Sequence, residues 1–416
     1  MVFQYIFLLA SLCPGLLAAT SSTPTPPSQD PWYTAPIGYE NVKPGTVLRL
    51  RHALGNLADT MAHTSTAYNV LFRTTNSQYK PTWAVTTVLV PELGLNSTAQ
   101  SAFNQSALLS YYIPYDTSSL DSSPSYTLYG TQYAQQLDAA LALGLFVSVP
   151  DYEGPLAAFT AGVNSGHASI DSIRAVLSLG LGMNTTSARV AHWGYSGGAL
   201  AAEWASELMV QYAPELSETI VGAALGGLTP NVSSVYETVS GGGFAGLVPS
   251  SLLGLTAQYP EAREYLTSQL KDSGPYNNTG FLAALKMSVD EAGVAFAGHD
   301  IGEYFQNGFA TFQSPIIHNI INRDGVMGYH GVPQTPIFSY AVIQDEDALV
   351  DRYCQVGANI LHERNSVGSH LEEAYNSASA ALSWLTAVLS GSYAAKYNSI
   401  GCTIRNVTRN GTTSAV

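Results

Sequence analysis

Charge, cysteine and long apolar segments are all scarce in this chain. Only 11% of its 416 residues are charged, and 30 acidic residues against 16 basic ones give a formal net charge of −14 at pH 7. With so few cations available to neutralise phosphate groups, the protein has no electrostatic basis for binding nucleic acid. Beyond the first 19 residues no apolar run is long enough to cross a bilayer, which excludes a transmembrane span.

The cysteines are few enough to be assigned by elimination. Of the three, Cys13 lies in the apolar leader, which leaves Cys354 and Cys402 in the mature chain. In an oxidising compartment one disulfide between them is the simplest outcome, and two free thiols are the alternative. Cysteines and histidines do not cluster at metal-ligand spacing, so we expect neither a metal nor an organic cofactor.

The amino terminus resembles a secretory signal peptide over residues 1–19, although no Lys or Arg precedes its apolar run. A membrane anchor is the weaker reading, because Pro14 and Gly15 interrupt a run that is already short for a span. Residues 20–36, rich in Ser, Thr and Pro, predict a flexible lead-in. Seven glycosylation sequons agree with a secreted, extracellular protein, which we expect to be a monomer; they lie at Asn96, Asn104, Asn184, Asn231, Asn277, Asn406 and Asn410.

Strand-like and helix-like segments alternate along most of the chain, and 46% hydrophobic residues suffice for a large core. Strands are expected over 81–91, 107–112, 144–150, 189–195, 336–342 and 358–362, and helices near 131–143, 167–180, 346–358 and 371–390. Such alternation builds an α/β fold with a mostly parallel sheet and helices on both faces. Short helical segments between Gly-rich turns predict an inserted helical cap, or lid, over 227–330. It divides a core of residues 37–226 and 331–416.

The most informative motif is a serine placed between two glycines at a strand-to-helix junction. Ser196 follows an apolar strand and precedes a helix of small residues, with Gly194 two positions before it and Gly198 two positions after it. This is the nucleophile-elbow pattern, in which small neighbours permit a strained turn that presents the hydroxyl. The backbone N–H of Gly197 would then point to the position of an oxyanion. A Gly-rich turn with a bystander serine is the alternative.

The acid of a catalytic triad is expected after the serine, at the carboxyl end of a later strand. The strand predicted over 336–342 is followed almost at once by Asp345 and Asp347. Asp345 is the first choice, because it lies just past the strand tip, and Asp347 is the alternative. Capping of the next helix is the other role that an acid at this place could have.

The base must be a histidine that lies in a loop beyond a strand. His370 fits, because it stands in a Gly/Ser loop that opens a helix downstream of the last predicted strand. His362 is the rival, but its position within that strand favours a structural role. His192, four residues before the serine, is also interpreted as structural.

Several blocks in order resemble the fungal secretory lipases, the LIP-type group that includes the yeast A-type lipase, over most of the mature chain. They are Trp193–Ala199, Val149–Pro155, Ile170–Ala175, Tyr353–Asn359 and Gly368–His370. The resemblance implies an α/β-hydrolase core, a helical cap over the site and hydrolysis of acyl esters. It also implies an oxyanion hole made by the backbone N–H groups of Gly197 and Asp116. The segment after Asp345 is shorter than in the family, because it lacks the usual hydrophobic-Pro loop.

These observations predict a secreted serine hydrolase that cleaves carboxylic esters, foremost triacylglycerols and other lipid esters, through an acyl-enzyme on Ser196. Residues 240–248 would line an acyl tunnel under the cap. One alternative is a serine peptidase or acylaminoacyl-type hydrolase on the same fold, since ester and amide cleavage share this apparatus. The other is a non-catalytic secreted binding protein, if the shortened segment has broken the triad.

Overall fold

A single twisted sheet organises the protein. The computed structural model describes residues 23–55, 57–94, 103–130, 133–343 and 348–411. These residues form a ten-stranded sheet in the order β1-β2-β3-β5-β4-β6-β7-β8-β9-β10. The strands are β1 Val47–His52, β2 Thr64–Thr75, β3 Pro81–Pro91, β4 Ala107–Tyr112, β5 Phe146–Pro150, β6 Arg189–Tyr195, β7 Ile220–Gly226, β8 Ile337–Val342, β9 Ile360–Asn365 and β10 Cys402–Val407.

The sheet is antiparallel at one side and parallel through the rest. The pairs β1–β2, β2–β3 and β3–β5 are antiparallel, whereas every pair from β5 through β4 to β10 is parallel. Every residue of β4, β5 and β8 is buried. Because successive side chains in a strand point to opposite faces, this burial requires cover on both faces. The predicted α/β-hydrolase architecture is confirmed.

Helices supply that cover. The described α-helices are α1 Leu57–Thr60, α2 Pro124–Thr127, α3 Ala134–Ala142, α4 Gly162–Leu179, α5 Gly197–Tyr212, α6 Val232–Val239, α7 Leu247–Ala257, α8 Pro260–Ser268, α9 Asn278–Leu282, α10 Val289–Phe296, α11 Pro315–Asp324, α12 Ala348–Gln355, α13 His370–Asn376, α14 Ala378–Leu389 and α15 Tyr393–Lys396. Among the described residues, no helix is long and apolar enough to cross a membrane. All regular elements between β7 and β8 are helical, in the segment where the sequence predicts a cap.

The disulfide that the cysteine inventory predicts is present. Cys354 lies in α12 and Cys402 opens β10, and their sulfur atoms are bonded with the Cα atoms 5.7 Å apart. The bond joins α12, the helix that follows Asp345 and Asp347 in the chain, to the strand β10 at the sheet edge.

The described part of the predicted flexible lead-in packs against the core instead. Ser28 donates from its backbone N–H and its hydroxyl to Asp121, over 2.8 and 2.7 Å. Asp30 pairs with Arg51 at 2.7 Å. Tyr33 is buried, with its hydroxyl 2.9 Å from Ser125 Oγ. We call residues 28–33 the N-terminal arm. The leader, residues 1–19, and the sequon at Asn96 lie outside the described residues.

Candidate active site

Ser196 occupies the sharp turn between β6 and α5. Its backbone has φ 52° and ψ −121°, a left-handed conformation that a residue with a side chain rarely adopts. The Ser196 N–H donates to the Gly226 carbonyl of neighbouring β7 at 2.9 Å, which fixes the turn to the sheet. Strain of this kind persists where surrounding structure enforces it, typically at functional positions.

The two flanking glycines are required by close backbone contacts. A Cβ on Gly194 would lie 2.2 Å from the Gly198 carbonyl oxygen. A Cβ on Gly198 would lie 2.1 Å from the Tyr112 carbonyl oxygen of β4. Both distances are far inside van der Waals contact, and each obstacle is backbone that cannot move aside. The geometry that the elbow motif predicts is therefore present at both positions.

His370 is the first residue of α13 and faces the serine. Its Nε2 lies 3.1 Å from Ser196 Oγ, within the range expected of a nucleophile and its base. The helix start is fixed by a capping box, in which Ser369 and Glu372 each bond the other's backbone N–H. The Tyr195 hydroxyl donates to the His370 carbonyl, so the residue before the serine also holds the histidine.

The acid is expected close to this histidine. β8 and β9 are parallel neighbours, and the N–H of Ile343 donates to the carbonyl of Asn365 at 3.0 Å. Asp345 and Asp347 follow Ile343 by two and four residues but lie outside the described residues. Two residues of extended chain span at most about 7 Å. Assignment of either acid to the triad stays a prediction.

Asp116 and Gly197 meet at the opposite side of the serine. Asp116 also has a left-handed backbone, with φ 45°, and is 8% exposed. Its Oδ1 would lie only 1.8 Å from a Cβ placed on Gly197, so its carboxyl group packs directly on the elbow. Gly197 is the first residue of α5, where a backbone N–H has no acceptor within the helix. Assignment of the backbone N–H groups of this pair to an oxyanion hole stays a prediction.

Burial makes the Asp116 carboxyl group a weak acid. Desolvation raises its pKa to about 7, against the opposing effect of His370, and Oδ1 has no hydrogen-bond partner in the described structure. Two further carboxyl groups lie close by. Asp151 accepts from the Ser125 N–H at 2.8 Å, and Glu153 is fully buried with its pKa raised well above the usual value, chiefly by desolvation.

The two rival histidines are both buried in the sheet. His362 Nδ1 lies 3.0 Å from Ser339 Oγ, on adjacent strands. His192 Nδ1 lies 2.6 Å from the Tyr112 hydroxyl, and burial lowers its pKa to about 4. Both imidazoles are bonded to hydroxyl groups of neighbouring strands, as expected of histidines with a structural role.

An apolar cavity opens beside Ser196. It holds about 460 Å³ of empty space, its open mouth included. Its apolar walls combine residues of the core with residues of the helical insertion, namely Phe159, Leu200, Val232, Val235, Leu247 and Val248. Leu247 and Val248 belong to the segment 240–248 that the sequence suggests as an acyl lining, and they begin helix α7. The insertion therefore forms part of the cavity wall beside Ser196.

The described residues contain no group of three or more His, Cys, Asp or Glu side chains that could hold a metal ion. Around Ser196 the structure brings together a serine hydroxyl and an imidazole, and such a pair can carry out acyl transfer through a covalent serine intermediate.

The chain is similar to several known proteins in sequence and in fold. A family model described as secretory lipase matches residues 123–396. The chain is 58% identical to the trichothecene C-3 esterase of Fusarium sporotrichioides, over 96% of this chain and 91% of that protein. It is 33% identical to lipase A of Arthroderma benhamiae, over 93% and 86%. The crystal structure of Candida antarctica lipase A has a TM-score of 0.80 at 24% identity, over 93% and 91%, and shows a shared fold.

Proposed function

The chain belongs to the secretory lipase family and hydrolyses carboxylic esters, and we propose that it does so through an acyl-enzyme formed on Ser196. The observation that carries this assignment is the 3.1 Å separation between Ser196 Oγ and His370 Nε2. A serine hydroxyl is a poor nucleophile at neutral pH, and it requires a base at this distance.

In the proposed mechanism, neutral His370 accepts the hydroxyl proton on Nε2 as Ser196 Oγ attacks the ester carbonyl carbon. The tetrahedral intermediate then collapses, the bond to the alcohol breaks, and His370 returns the proton to the leaving alkoxide. A water molecule, deprotonated by the same nitrogen, releases the acid and restores the serine. Asp345, with Asp347 as the alternative, holds the Nδ1 proton and stabilises the imidazolium.

The negative oxygen of the intermediate is stabilised by backbone N–H groups of Gly197 and Asp116. Removal of one such donor in comparable sites costs about 3–4 kcal/mol of transition-state stabilisation. The Asp116 carboxyl group stands beside this oxygen, because it packs on Gly197. We propose that it is protonated in the active form, since an ionised group there would repel the intermediate.

The substrate we propose is an ester at C-3 of a trichothecene. It is supported by the 58% identity to a protein named for that activity, which extends over almost the whole chain. Triacylglycerols and other lipid esters are the second candidate, supported by the family and by the 33% identity to a lipase. The apolar cavity beside Ser196 accommodates the acyl group in either case.

We also propose that the enzyme works outside the cell as a monomer. The matching family is called secretory, and a disulfide links Cys354 and Cys402 of this protein. Four of the sequon asparagines are exposed on the described surface, as attachment of a glycan requires: Asn104, Asn184, Asn406 and Asn410.

Ser196→Ala tests the mechanism directly. The variant should fold normally, lose hydrolysis of p-nitrophenyl acetate and lose covalent labelling by a fluorophosphonate probe. Ser206→Ala is a matched control, because Ser206 is buried on the helix that follows Ser196 and its hydroxyl donates to the Ala202 carbonyl. Unchanged turnover or labelling in Ser196→Ala would refute the nucleophile.

The substrate is tested with the wild-type protein by comparing a trichothecene C-3 ester with triolein emulsion. We expect the larger kcat/KM for the trichothecene ester. A preference for triolein would favour the lipid substrate and leave the nucleophile assignment intact. Labelling of Ser196 without hydrolysis of either substrate would contradict both candidates.

A further inference from the structure

One wall of the apolar cavity carries a cluster of three buried hydroxyl groups. Ser251 Oγ lies 2.9 Å from Thr160 Oγ1 and 2.8 Å from the Tyr236 hydroxyl. The three residues are 3%, 5% and 2% exposed, and all of them line the cavity that contains Ser196. The cluster is not part of the catalytic machinery described above.

The cluster is assembled from three distant segments. Thr160 lies in the loop before α4, Tyr236 in α6 and Ser251 in α7, so both the core and the helical insertion contribute. Thr160 has φ 65°, a conformation that is a genuine outlier for a β-branched residue. Its hydroxyl also reaches the Ser251 carbonyl at 3.3 Å. The surrounding structure holds a strained residue where its hydroxyl joins the wall.

The hydrogen-bonding capacity of this wall is only partly used. Each hydroxyl has one proton and two lone pairs. The three protons are accounted for by the contacts within the cluster and to the Ser251 carbonyl, so at least half of the lone pairs receive no proton from within it. A buried acceptor that loses water without gaining a donor is costly. A plain alkyl chain pressed against the wall would impose this cost.

We propose that the Thr160–Tyr236–Ser251 hydroxyl cluster determines acyl specificity, and that it restricts the enzyme to esters of short acyl groups. This inference rests on the proposed function, because it requires the acyl group bound to Ser196 to occupy this cavity. A site with buried polar groups rejects a ligand that cannot pair with them far more strongly than an apolar site rejects one extra methylene. The cluster thus discriminates by polarity as well as by space.

The test compares p-nitrophenyl acetate, butyrate and octanoate with the wild type and the double variant Tyr236→Phe/Ser251→Ala. The wild type should prefer acetate and butyrate. The double variant should raise the octanoate-to-acetate ratio of kcat/KM by about tenfold or more, since it removes two of the three hydroxyls. Ser250→Ala is the matched control, because Ser250 is buried on the same helix and is not among the cavity-lining residues, and it should leave the ratio unchanged.

A second comparison separates polarity from space. The wild type should hydrolyse p-nitrophenyl 6-hydroxyhexanoate at least about fivefold more efficiently than the hexanoate, because the terminal hydroxyl can donate to the wall. The double variant should lose this difference. The proposal is overturned if the wild type prefers octanoate, if the double variant keeps the wild-type ratio, or if the hydroxylated ester has no advantage. If the wild type hydrolyses none of these esters, that result would instead contradict the proposed function.

Discussion

Asn365 donates its side-chain amide hydrogen to Glu373 across 2.6 Å, and these two residues lie on either side of His370 in the chain. Asn365 ends β9 and Glu373 lies in α13, and both side chains are fully buried. The Asn365 oxygen also accepts from the Arg409 N–H at 3.0 Å, and Glu373 accepts from Ser377. This bond closes the segment that carries the proposed base, so it should control where the imidazole lies.

Asn365→Asp should move the histidine. The change replaces the donor with a second carboxylate beside Glu373, and we expect a loss of roughly 2–3 kcal/mol in the free energy of unfolding. We also expect at least a tenfold lower kcat for p-nitrophenyl acetate, because small displacements of a base are expensive. Denaturant unfolding and steady-state kinetics measure the two effects. The double variant Asn365→Asp/Glu373→Gln reverses donor and acceptor and should recover most of the lost stability and most of the lost kcat. If neither recovers, the bond between residues 365 and 373 does not position the histidine.

The pH dependence of activity should report Asp116. Because burial raises its pKa to about 7, the group is protonated below that pH and negative above it. An ionised carboxyl group would then lie beside the oxyanion in the proposed mechanism. The wild-type kcat/KM should therefore decline as pH rises from 7 to 9. Asp116→Asn cannot ionise, and its pH profile should stay flat over that range. An identical alkaline decline in both proteins would exclude Asp116 as its origin.

The same group should affect stability. The pKa of Asp116 is higher in the folded protein than in the unfolded chain, so its protonation stabilises the fold. This contribution is complete below the pKa of the unfolded chain and is lost as pH rises through about 7. Relative to the wild type, Asp116→Asn should gain on the order of 4 kcal/mol in unfolding free energy between pH 4 and pH 8. Urea unfolding at the two pH values measures the difference. A gap that does not change with pH would contradict the raised pKa.

Asp345→Asn and Asp347→Asn decide which acid orients His370. The correct one should lower kcat/KM for p-nitrophenyl acetate by about 10⁴-fold, because an amide stabilises the wrong imidazole tautomer. The other variant should stay within about threefold of the wild type and serves as its control. Thermal unfolding confirms that both variants are folded. Full activity in both would remove this segment from the mechanism.

Loss of the disulfide should be costly. Cys354 and Cys402 are 48 residues apart in the chain, and closing a loop of that length is worth about 4 kcal/mol in the chain-entropy model. Cys354→Ser/Cys402→Ser should therefore lose about this amount of unfolding free energy. Wild-type protein treated with reductant should match it. If the double variant is as stable as the oxidised wild type, the bond contributes nothing to the fold.

The inner strands could be predicted from sequence because burial on both faces favours runs rich in apolar and β-branched residues, as in β3 and β5. β2 escapes that criterion. It carries Asn69, Arg73 and Thr74 at buried positions, where each finds a partner: Asn69 donates to Thr87, Arg73 to Thr75 and Thr74 to Asp171. The partners of Asn69 and Thr74 lie on other elements and cannot be read from the strand's own pattern, so tertiary contacts decide this strand.

Two further features could not be predicted from sequence: the strand β10 at the sheet edge and the interruption of the helix predicted over 371–390. β10 is largely exposed and contains Arg405, whose side chain pairs with Glu363 of β9. Nothing in its own sequence marks it as a strand. The helix predicted over 371–390 is divided near Ser377, where the serine hydroxyl bonds Glu373 in the preceding turn. Ser377 itself leaves the helical conformation, with φ −107° and ψ 2°, and a periodic apolar pattern does not reveal such a break.

The residues of the candidate site also differ in whether local sequence could predict them. Ser196 and its glycines are local in sequence, and His370 follows from its loop, so both could be proposed from the chain alone. Asp116 could be proposed only from the family resemblance, because a positive φ at a non-glycine residue leaves no sequence signal. The hydroxyls of Thr160, Tyr236 and Ser251 converge from three segments, and no motif connects them.

The N-terminal arm sets a practical limit on how this enzyme can be produced. Its bonds reach Asp121 and Ser125, a few residues after Asp116, so the N-terminal arm buttresses the segment that follows the proposed oxyanion-hole residue. Trimming the protein past Ser28 removes that buttress. A purification tag fused there needs a spacer, or it will compete with Ser28 for Asp121.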